Sequence, residues 1–283
     1  MKKNTIIILL LLAALSLSCT IIIPIKETVT REVQTFEIHE DLEDVATPIE
    51  LEINMGAGEL IISKTTGKIL TGTINYNFQT LKPSLTLLEN EIQISQTEDV
   101  SASLPVGKLV NEWDLQIGDV ATDLTLNAGA YNGICDLSGI PLTSIIINDG
   151  ASHNEIIFQE LNPADMEELS YTTGASNVTM KGLANANFRH MTFRGGAGSY
   201  LLDFGGSLKR GAEVEVDLGV GSMTIIIPDG ISANIRVNGE LKNVEFEGVW
   251  DIERGNYNTN GQGPVLDFVI DINLGKLLLI HRD

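Results

Sequence analysis

Ile145-Ile146-Ile147-Asn148-Asp149-Gly150-Ala151-Ser152 is the stretch that decides the fold of this chain. It begins with three β-branched residues, which favour an extended strand. It continues into Asn, Asp and Gly, which accept the backbone conformations of a tight corner more readily than other residues do. The stretch therefore predicts a strand that ends at a sharp change of direction.

The same arrangement recurs along the chain at a nearly constant interval. Each copy places a glycine after an apolar segment, and the steps between successive glycines are 21, 24, 22 and 23 residues. An earlier copy places Gly56 after Leu51-Glu52-Ile53, and a later one places Gly275 after Ile270-Asp271-Ile272. A period in the low twenties with two short strands per copy is typical of solenoid proteins. The five evenly spaced glycines are Gly129, Gly150, Gly174, Gly196 and Gly219.

The repeat predicts the fold class. One copy has an apolar face that it cannot bury alone, so neighbouring copies stack as parallel strands about 4.8 Å apart. We expect an all-β protein, a single right-handed parallel β-helix-like solenoid with coils of about 20–24 residues, over residues 49–283. The corner at Gly196 is expected to need a positive φ or a close approach to the next coil. Alternation along the strands predicts inward positions for Ile146, Val178, Leu202 and Ile226.

The composition excludes several functions. The chain has 283 residues, with 18 Lys and Arg against 38 Asp and Glu, and a formal net charge of −20. This balance supplies no basic surface for nucleic acid or for an anionic lipid face. The hydrophobic fraction of 43% is too high for a disordered acidic tail. Two Cys residues cannot build a disulfide framework.

The first residues have the pattern of an export signal. Lys2 and Lys3 precede an unbroken apolar run of ten residues, 6–15, whereas a membrane span needs about 20. Ser16-Leu17-Ser18-Cys19 follows and resembles a bacterial lipobox, in which a Cys after a small residue is lipidated and becomes the new N-terminus. We expect residues 1–18 to be a lipoprotein signal peptide, Cys19 to carry the lipid, and residues 19–48 to be a tether.

Two other interpretations of this segment stay open. The apolar stretch 21–25 prolongs the run and is compatible with an uncleaved anchor, although Pro24 interrupts it. An ordinary secretion signal with an accidental Cys is the other interpretation. All three place the rest of the chain outside the cytoplasm. The expected location is therefore extracytoplasmic, with the protein anchored in a bacterial cell envelope.

Several landmarks of the repeats occur in a characteristic order. They run through Trp113-Asp114-Leu115, Asp136-Leu137-Ser138-Gly139, Gly150-Ala151-Ser152, Gly174-Ala175-Ser176, Gly182-Leu183-Ala184, Gly195-Gly196-Ala197-Gly198 and Leu202-Asp203-Phe204. This order resembles the toast-rack family of bacterial extracytoplasmic β-solenoid domains, which are similar to those of LiaF-like cell-envelope stress proteins and of adhesin-head domains. The resemblance covers roughly residues 45–283 and implies the solenoid fold. It brings no catalytic motif with it.

The sequence gives little support for a calcium site. The stretch 195–201 superficially resembles the glycine-rich repeat of calcium-binding β-rolls, but Tyr200 stands where that repeat has an Asp. A hard cation needs several oxygen ligands, so we expect a glycine-lined corner instead. A looser site around Asp149 or Asp217 stays open.

Other metal, cofactor and nucleophile sites are not expected. A zinc site needs three or four convergent ligands, and the histidines have no paired spacing. Cys135 has no His close in sequence and is predicted to be a small, semi-buried thiol. No nucleophile elbow or phosphate-binding loop occurs in the sequence. The four histidines are His39, His153, His190 and His281.

These observations favour a non-enzymatic cell-surface lipoprotein. Its expected role is structural or adhesive, or that of a binding module in the cell-envelope stress response. The expected partners are the membrane, through the lipid on Cys19, and an envelope protein or glycan. The alternative is a polysaccharide-active β-helix enzyme, and a small-molecule or metal-binding module is a third class. Two irregular insertions lie near Trp113 and Trp250, and if the protein has a ligand site, the exposed polar loop 256–263 is the place to look for it.

Overall fold

The computed structural model of the protein describes residues 32–41, 47–96, 108–238 and 244–282. Within them the chain is all-β, and its sixteen strands belong to one sheet. The predicted signal peptide 1–18 and the predicted lipidation site Cys19 lie outside the described residues. The strands are β1 Gln34–Glu40, β2 Ile49–Lys64, β3 Leu70–Tyr76, β4 Pro83–Leu88, β5 Glu91–Gln96, β6 Asn111–Ile117, β7 Thr122–Asp136, β8 Leu142–Ile157, β9 Met166–Lys181, β10 Phe188–Asp203, β11 Ala212–Pro228, β12 Ser232–Asn238, β13 Val244–Glu247, β14 Asp251–Glu253, β15 Asn256–Thr259 and β16 Val265–Arg282. Short 3-10 turns occur at Gln79–Leu81 and Leu183–Ala186.

The centre of the molecule is a stack of seven long parallel strands. They follow one another as β2, β7, β8, β9, β10, β11 and β16, and each has 15 to 18 residues. Equivalent positions of the sequence repeat face each other, as Ala175 faces Ala197 and Gly198 faces Gly221. The predicted all-β solenoid-like stack is confirmed.

Each long strand is bent at its central small residues. Phe193 and Tyr200 both belong to β10, yet their ring centroids are only 5.0 Å apart. Seven residues of straight strand would separate them by about 23 Å, so the two arms of the strand fold back toward each other. Asp149 and Ser152 of β8 show the same bend, because their side chains are hydrogen-bonded at 2.9 Å. Alternate residues of both arms pack into one hydrophobic core.

The bend differs from the predicted corner between two short strands. The two arms keep one register across the bend, with Gly195 facing Thr173 and Ala197 facing Ala175, and the pairing is interrupted only at the glycine between them, where the backbones approach closely. A Cβ added to Gly196 would overlap the carbonyl oxygen of Gly174 in the preceding coil. The close approach predicted for Gly196 is therefore confirmed, and its φ is not positive. Gly129, Gly150, Gly174 and Gly219 approach the preceding coil in the same way.

The predicted core positions are partly correct. Val178 and Leu202 are buried in the core. The prediction for Ile146 is wrong, because this side chain faces outward between the buried Ile145 and Ile147. Ile226 is buried, but it lies outside the core cluster that contains its neighbours at 225 and 227. A run of three isoleucines hides the alternation, so a shift of one residue reverses the inward set.

The two irregular insertions form caps at the ends of the stack. At one end, β5 and β6 pair with the two arms of β2, and β3 and β1 continue the sheet beyond β6. At the other end, β12 and β13 pair with the two arms of β16, and β15 and β14 continue the sheet beyond β12. The order of strands in the whole sheet therefore differs from their order in the chain. The edge strand β1 lies within the segment 19–48 that was predicted to be a tether.

Candidate functional site

A surface depression lies at the cap formed by β12 to β15. Its volume is about 550 Å³, and it borders the segment 256–263, which was predicted to be an exposed polar loop but forms strand β15 over 256–259. Asn260 belongs to that loop, whereas the other lining residues come from the end of β16 and from the segments that follow β11 and β13. The depression is lined by Asp229, Gly230, Gly248, Val249, Asn260, His281 and Arg282.

His281 ties three segments together at this depression. Its Nε2 lies 3.1 Å from Oδ1 of Asp229, and its Nδ1 lies 2.7 Å from the carbonyl oxygen of Val249. The ring packs against Trp250, with 5.7 Å between the ring centroids. Trp250 in turn donates its indole N–H to the carbonyl oxygen of Glu247 at 2.9 Å. The end of β16, the loop after β11 and the cap are thus joined through one imidazole.

The depression combines polar groups with an exposed apolar side chain. Asn260 and Arg282 are exposed, and Val249 is 82% exposed. An amide and a guanidinium can hydrogen-bond a ligand from several sides, while Val249 offers apolar contact. The arrangement suits recognition of a polar ligand that carries some apolar surface.

A second depression of about 580 Å³ lies along the arms of β8 to β10 and the connections that follow them. Its lining includes Glu155 and Lys181, whose charged atoms are 2.5 Å apart. Glu155 is the one carboxylate in this lining, and Asp229 is the one carboxylate in the other. Neither of these two depressions holds the carboxylate pair that the glycosidase alternative would use.

A buried polar cluster fills the inside of the bend between β7 and β10. The Asp149 carboxylate accepts hydrogen bonds from the Tyr171 hydroxyl at 2.6 Å, the Ser152 hydroxyl at 2.9 Å and the Ser176 hydroxyl at 3.2 Å. The Thr173 hydroxyl donates to the same carboxylate. Because four hydroxyl groups surround Asp149, its charge is satisfied inside the coil. The cluster therefore holds successive coils together.

The tyrosines of this cluster are held in their neutral form. Asn154 donates from its amide to the hydroxyl oxygens of Tyr131 at 2.6 Å and Tyr171 at 3.0 Å. Burial, reinforced by the neighbouring Asp149 carboxylate, raises the pKa of Tyr171 above its usual range. Burial is also the main cause that raises the pKa of Tyr131. Burial raises the pKa of the Cys135 thiol to about 12, and this thiol is buried as predicted.

The other histidines considered in the sequence lie on the surface. His190 stands between Glu213 at 3.2 Å and Glu167 at 3.8 Å, and His39 lies 3.8 Å from Glu37. His153 is exposed on β8. Within the described ranges, no three or more His, Cys, Asp or Glu side chains are arranged to hold a metal ion. No helix in the part of the chain that the structure describes has the length and apolar character to cross a bilayer.

The residues considered for calcium are separated from one another. Asp149 is committed to the buried hydroxyl groups, whereas Asp217 is exposed on β11 and faces Asp271 of β16. Tyr200, at the position of the missing Asp, is buried and contacts Phe193 edge to face. The structure therefore does not bring these residues to one place.

Sequence reasoning missed two groupings. The buried cluster has a periodic signal: Asp149 and Thr173 each directly precede a repeat glycine, and Ser152 and Ser176 each follow one by two positions. Aligning the copies on their glycines would have placed these polar groups together. The pairing of Asp229 with His281 has no such signal, because the two residues meet only through the out-of-order position of β16.

Comparison with known proteins gives a family and a set of similar folds. No curated protein matches the chain. A candidate cell adhesion protein of Clostridium sporogenes ATCC 15579 has 21% sequence identity and a TM-score of 0.47, with 89% of this chain and 99% of that chain covered. A candidate adhesin of Bacteroides fragilis NCTC 9343 has 10% identity and a TM-score of 0.33, with 88% and 98% covered. A candidate lipid-binding protein of Parabacteroides distasonis ATCC 8503 has 10% identity and a TM-score of 0.37, with 89% and 96% covered.

The family model described as the N-terminal domain of toast_rack, DUF2154, matches residues 26–167. This range includes the first cap, the first three long strands of the stack and the start of the fourth. The expectation drawn from the order of glycine landmarks is thereby confirmed, and the chain belongs to the toast-rack family.

Proposed function

We propose that this protein is a non-enzymatic binding module of the bacterial cell surface, held to the membrane by a lipid on Cys19. In this proposal the depression at the C-terminal cap binds an envelope component, either a protein or a glycan. The observation that carries the proposal is the position of this depression relative to the strand that enters the fold first.

The chain enters the fold and presents the depression at opposite ends of the sheet. The path of paired strands begins at β1, which follows the predicted tether, and ends at β15 and β14 of the far cap. The strands from β2 to β16 are six steps apart, which corresponds to roughly 30 Å at the usual strand spacing. This separation supports the proposal, because the depression lies at the end of the sheet far from the strand that follows the predicted tether.

The chemistry of the depression supports binding. Asn260 and Arg282 are exposed, and Gly230 and Gly248 leave the backbone accessible beside them. The seven-strand stack is a rigid support, because each long strand pairs along its length with its neighbours. A rigid scaffold that presents polar groups on loops is the usual arrangement of a recognition surface.

A co-sedimentation experiment tests the proposed binding site. The full-length protein in detergent is mixed with purified cell-wall glycan, and the bound fraction is measured for the wild type and for the Asn260→Ala/Arg282→Ala variant. Asn177→Ala, exposed on β9 and far from the cap, is the matched control. Retention that falls only in the cap variant supports a glycan ligand. Equal retention of all three proteins would remove the depression as the glycan site.

Metabolic labelling with a fatty-acid probe tests the anchor. The wild type and Cys135→Ser should be labelled, whereas Cys19→Ser should not, because the buried Cys135 is inaccessible to acylation. Equal labelling of the Cys19→Ser variant would contradict a lipid on this residue. A wild-type protein that is membrane-bound, unprocessed and unlabelled would instead fit the anchor interpretation.

A further inference from the structure

The last described strand fills a slot between two parts of the chain that precede it. β16 pairs with β11 on one side and with β12 and β13 on the other, although β12 and β13 come earlier in the sequence. Neither β12 nor β13 pairs with β11 in the described structure. Among the described strands, those of the C-terminal cap therefore pair with the stack through β16.

The slot contacts β16 in two ways, through the buried side chains of this strand and through its backbone. Phe268 packs edge to face against Phe204, with 5.0 Å between the ring centroids, and Leu266, Ile270 and Leu279 are fully buried. A Cβ added to Gly275 would overlap the carbonyl oxygen of Gly221, so a larger residue cannot replace the glycine without displacing backbone. The slot therefore selects an extended strand with alternating apolar residues and a glycine at the bend. Another copy of β16 meets every one of these requirements.

The connection to β16 has the composition of a hinge. β15 lies on the far side of β12, so residues 260–264 must cross the start of β12 to reach the slot. Gly263 has a φ of 118° and is exposed, and Gln262 beside it is also exposed. A short, glycine-containing crossing between a strand and the body that receives it is the kind of segment that opens in domain swapping.

We propose that β16 is exchanged between two copies of this chain, so that the slot of each molecule is filled by the strand of the other. The interface created is the existing contact of β16 with β11, β12 and β13, now formed between chains. Exchange needs no new complementary surface, since the contacts are the same in both forms. The hinge 260–264 is the segment that changes conformation. The partner is thus a second copy of this chain.

Paired cysteines on different copies test the exchange. Ser222 of β11 and Lys276 of β16 are direct register partners, so Ser222→Cys on one copy can meet Lys276→Cys on another only after exchange. The two full-length variants are co-expressed with different tags, purified in detergent and analysed on a non-reducing gel. The matched control pairs Ser222→Cys with Asp267→Cys, which lies on the same strand but faces Glu213.

A disulfide-linked heterodimer with the registered pair, and none with the control pair, is the expected result. If neither pair is linked while both proteins melt at the wild-type temperature, β16 stays in its own chain and the proposal fails. Linkage of both pairs to the same extent would reflect random collision and would also overturn it. Thr224→Cys with Leu278→Cys, a second registered pair, replaces the first if a variant does not fold.

Discussion

At the scale of single residues, the glycines that define the repeat are required by backbone proximity. Gly196 could be predicted to lie at a tight position because the spacing of 21 to 24 residues marks equivalent positions in successive coils. That the requirement is contact with Gly174, and not a positive φ, depends on how closely the coils stack. The distance between neighbouring coils cannot be derived from the local sequence.

Replacing Gly196 with Ala should lower the free energy of unfolding by about 1–3 kcal/mol, because the added methyl group must displace the backbone of the preceding coil. Gly56→Ala is the matched control, since a Cβ there would meet only the Gln96 side chain, at an ordinary 3.5 Å. Chemical denaturation of the three proteins gives the difference. Equal midpoints for Gly196→Ala and wild type would contradict the close approach.

The tyrosines inside the bend should respond differently to loss of their hydroxyl groups. Tyr171→Phe leaves Asp149 without a donor at 2.6 Å and should cost about 1–3 kcal/mol. Tyr200→Phe should change stability little, because its buried hydroxyl has no hydrogen-bond partner that removal would break. Thermal unfolding of both variants measures the contrast. A larger loss in Tyr200→Phe would show that its hydroxyl is satisfied.

At the scale of elements, the sequence predicted where the repeated segments lie but not how the strand of each repeat is oriented and paired. The recurring apolar segments identified the strands β7 to β11, since each copy carries the same short pattern. The inward face of an isoleucine run could not be decided, because Ile145 and Ile146 are equally apolar and only the neighbouring coil distinguishes them. The caps could not be predicted either, since their positions depend on β2 and β16 pairing with strands that are not their neighbours in the chain.

His281 should stabilise the C-terminal cap more than the rest of the fold. His281→Ala removes the contacts to Asp229 and to the Val249 carbonyl, so amide hydrogen exchange should accelerate in residues 244–259. His190→Ala, at an exposed position between two glutamates, should leave that exchange unchanged. Uniform acceleration across the stack would show that His281 supports the core and not the cap alone.

At the scale of the whole molecule, the buried interior favours the neutral forms of its tyrosine hydroxyl groups and of its cysteine thiol. The folded-state pKa values of Cys135, Tyr131 and Tyr171 are all raised, with burial as the leading cause. The neutral form is favoured by folding, so this contribution is fully present below the ordinary values of 9.0 and 10.0. It is lost as the pH rises from there toward the raised values.

The melting temperature should therefore fall as the pH rises above 9, and more steeply above 10. Ultraviolet absorbance of tyrosinate, followed together with circular dichroism, checks the cause. Tyr131 and Tyr171 should ionise only as the strands unfold. Complete tyrosine ionisation in a protein that keeps its β-sheet signal would contradict the closed interior.

Because the two caps lie at opposite ends of the stack, the number of coils between them can change without a change in either cap. Each cap pairs with the outermost long strand of the stack, β2 or β16, and the coils between them repeat one pattern. A further copy of 21 to 24 residues could be added between Gly150 and Gly174 without changing either end. Each added coil would extend the stack by about 4.8 Å. The number of coils thus sets the distance between the far cap and the strand that enters the fold first.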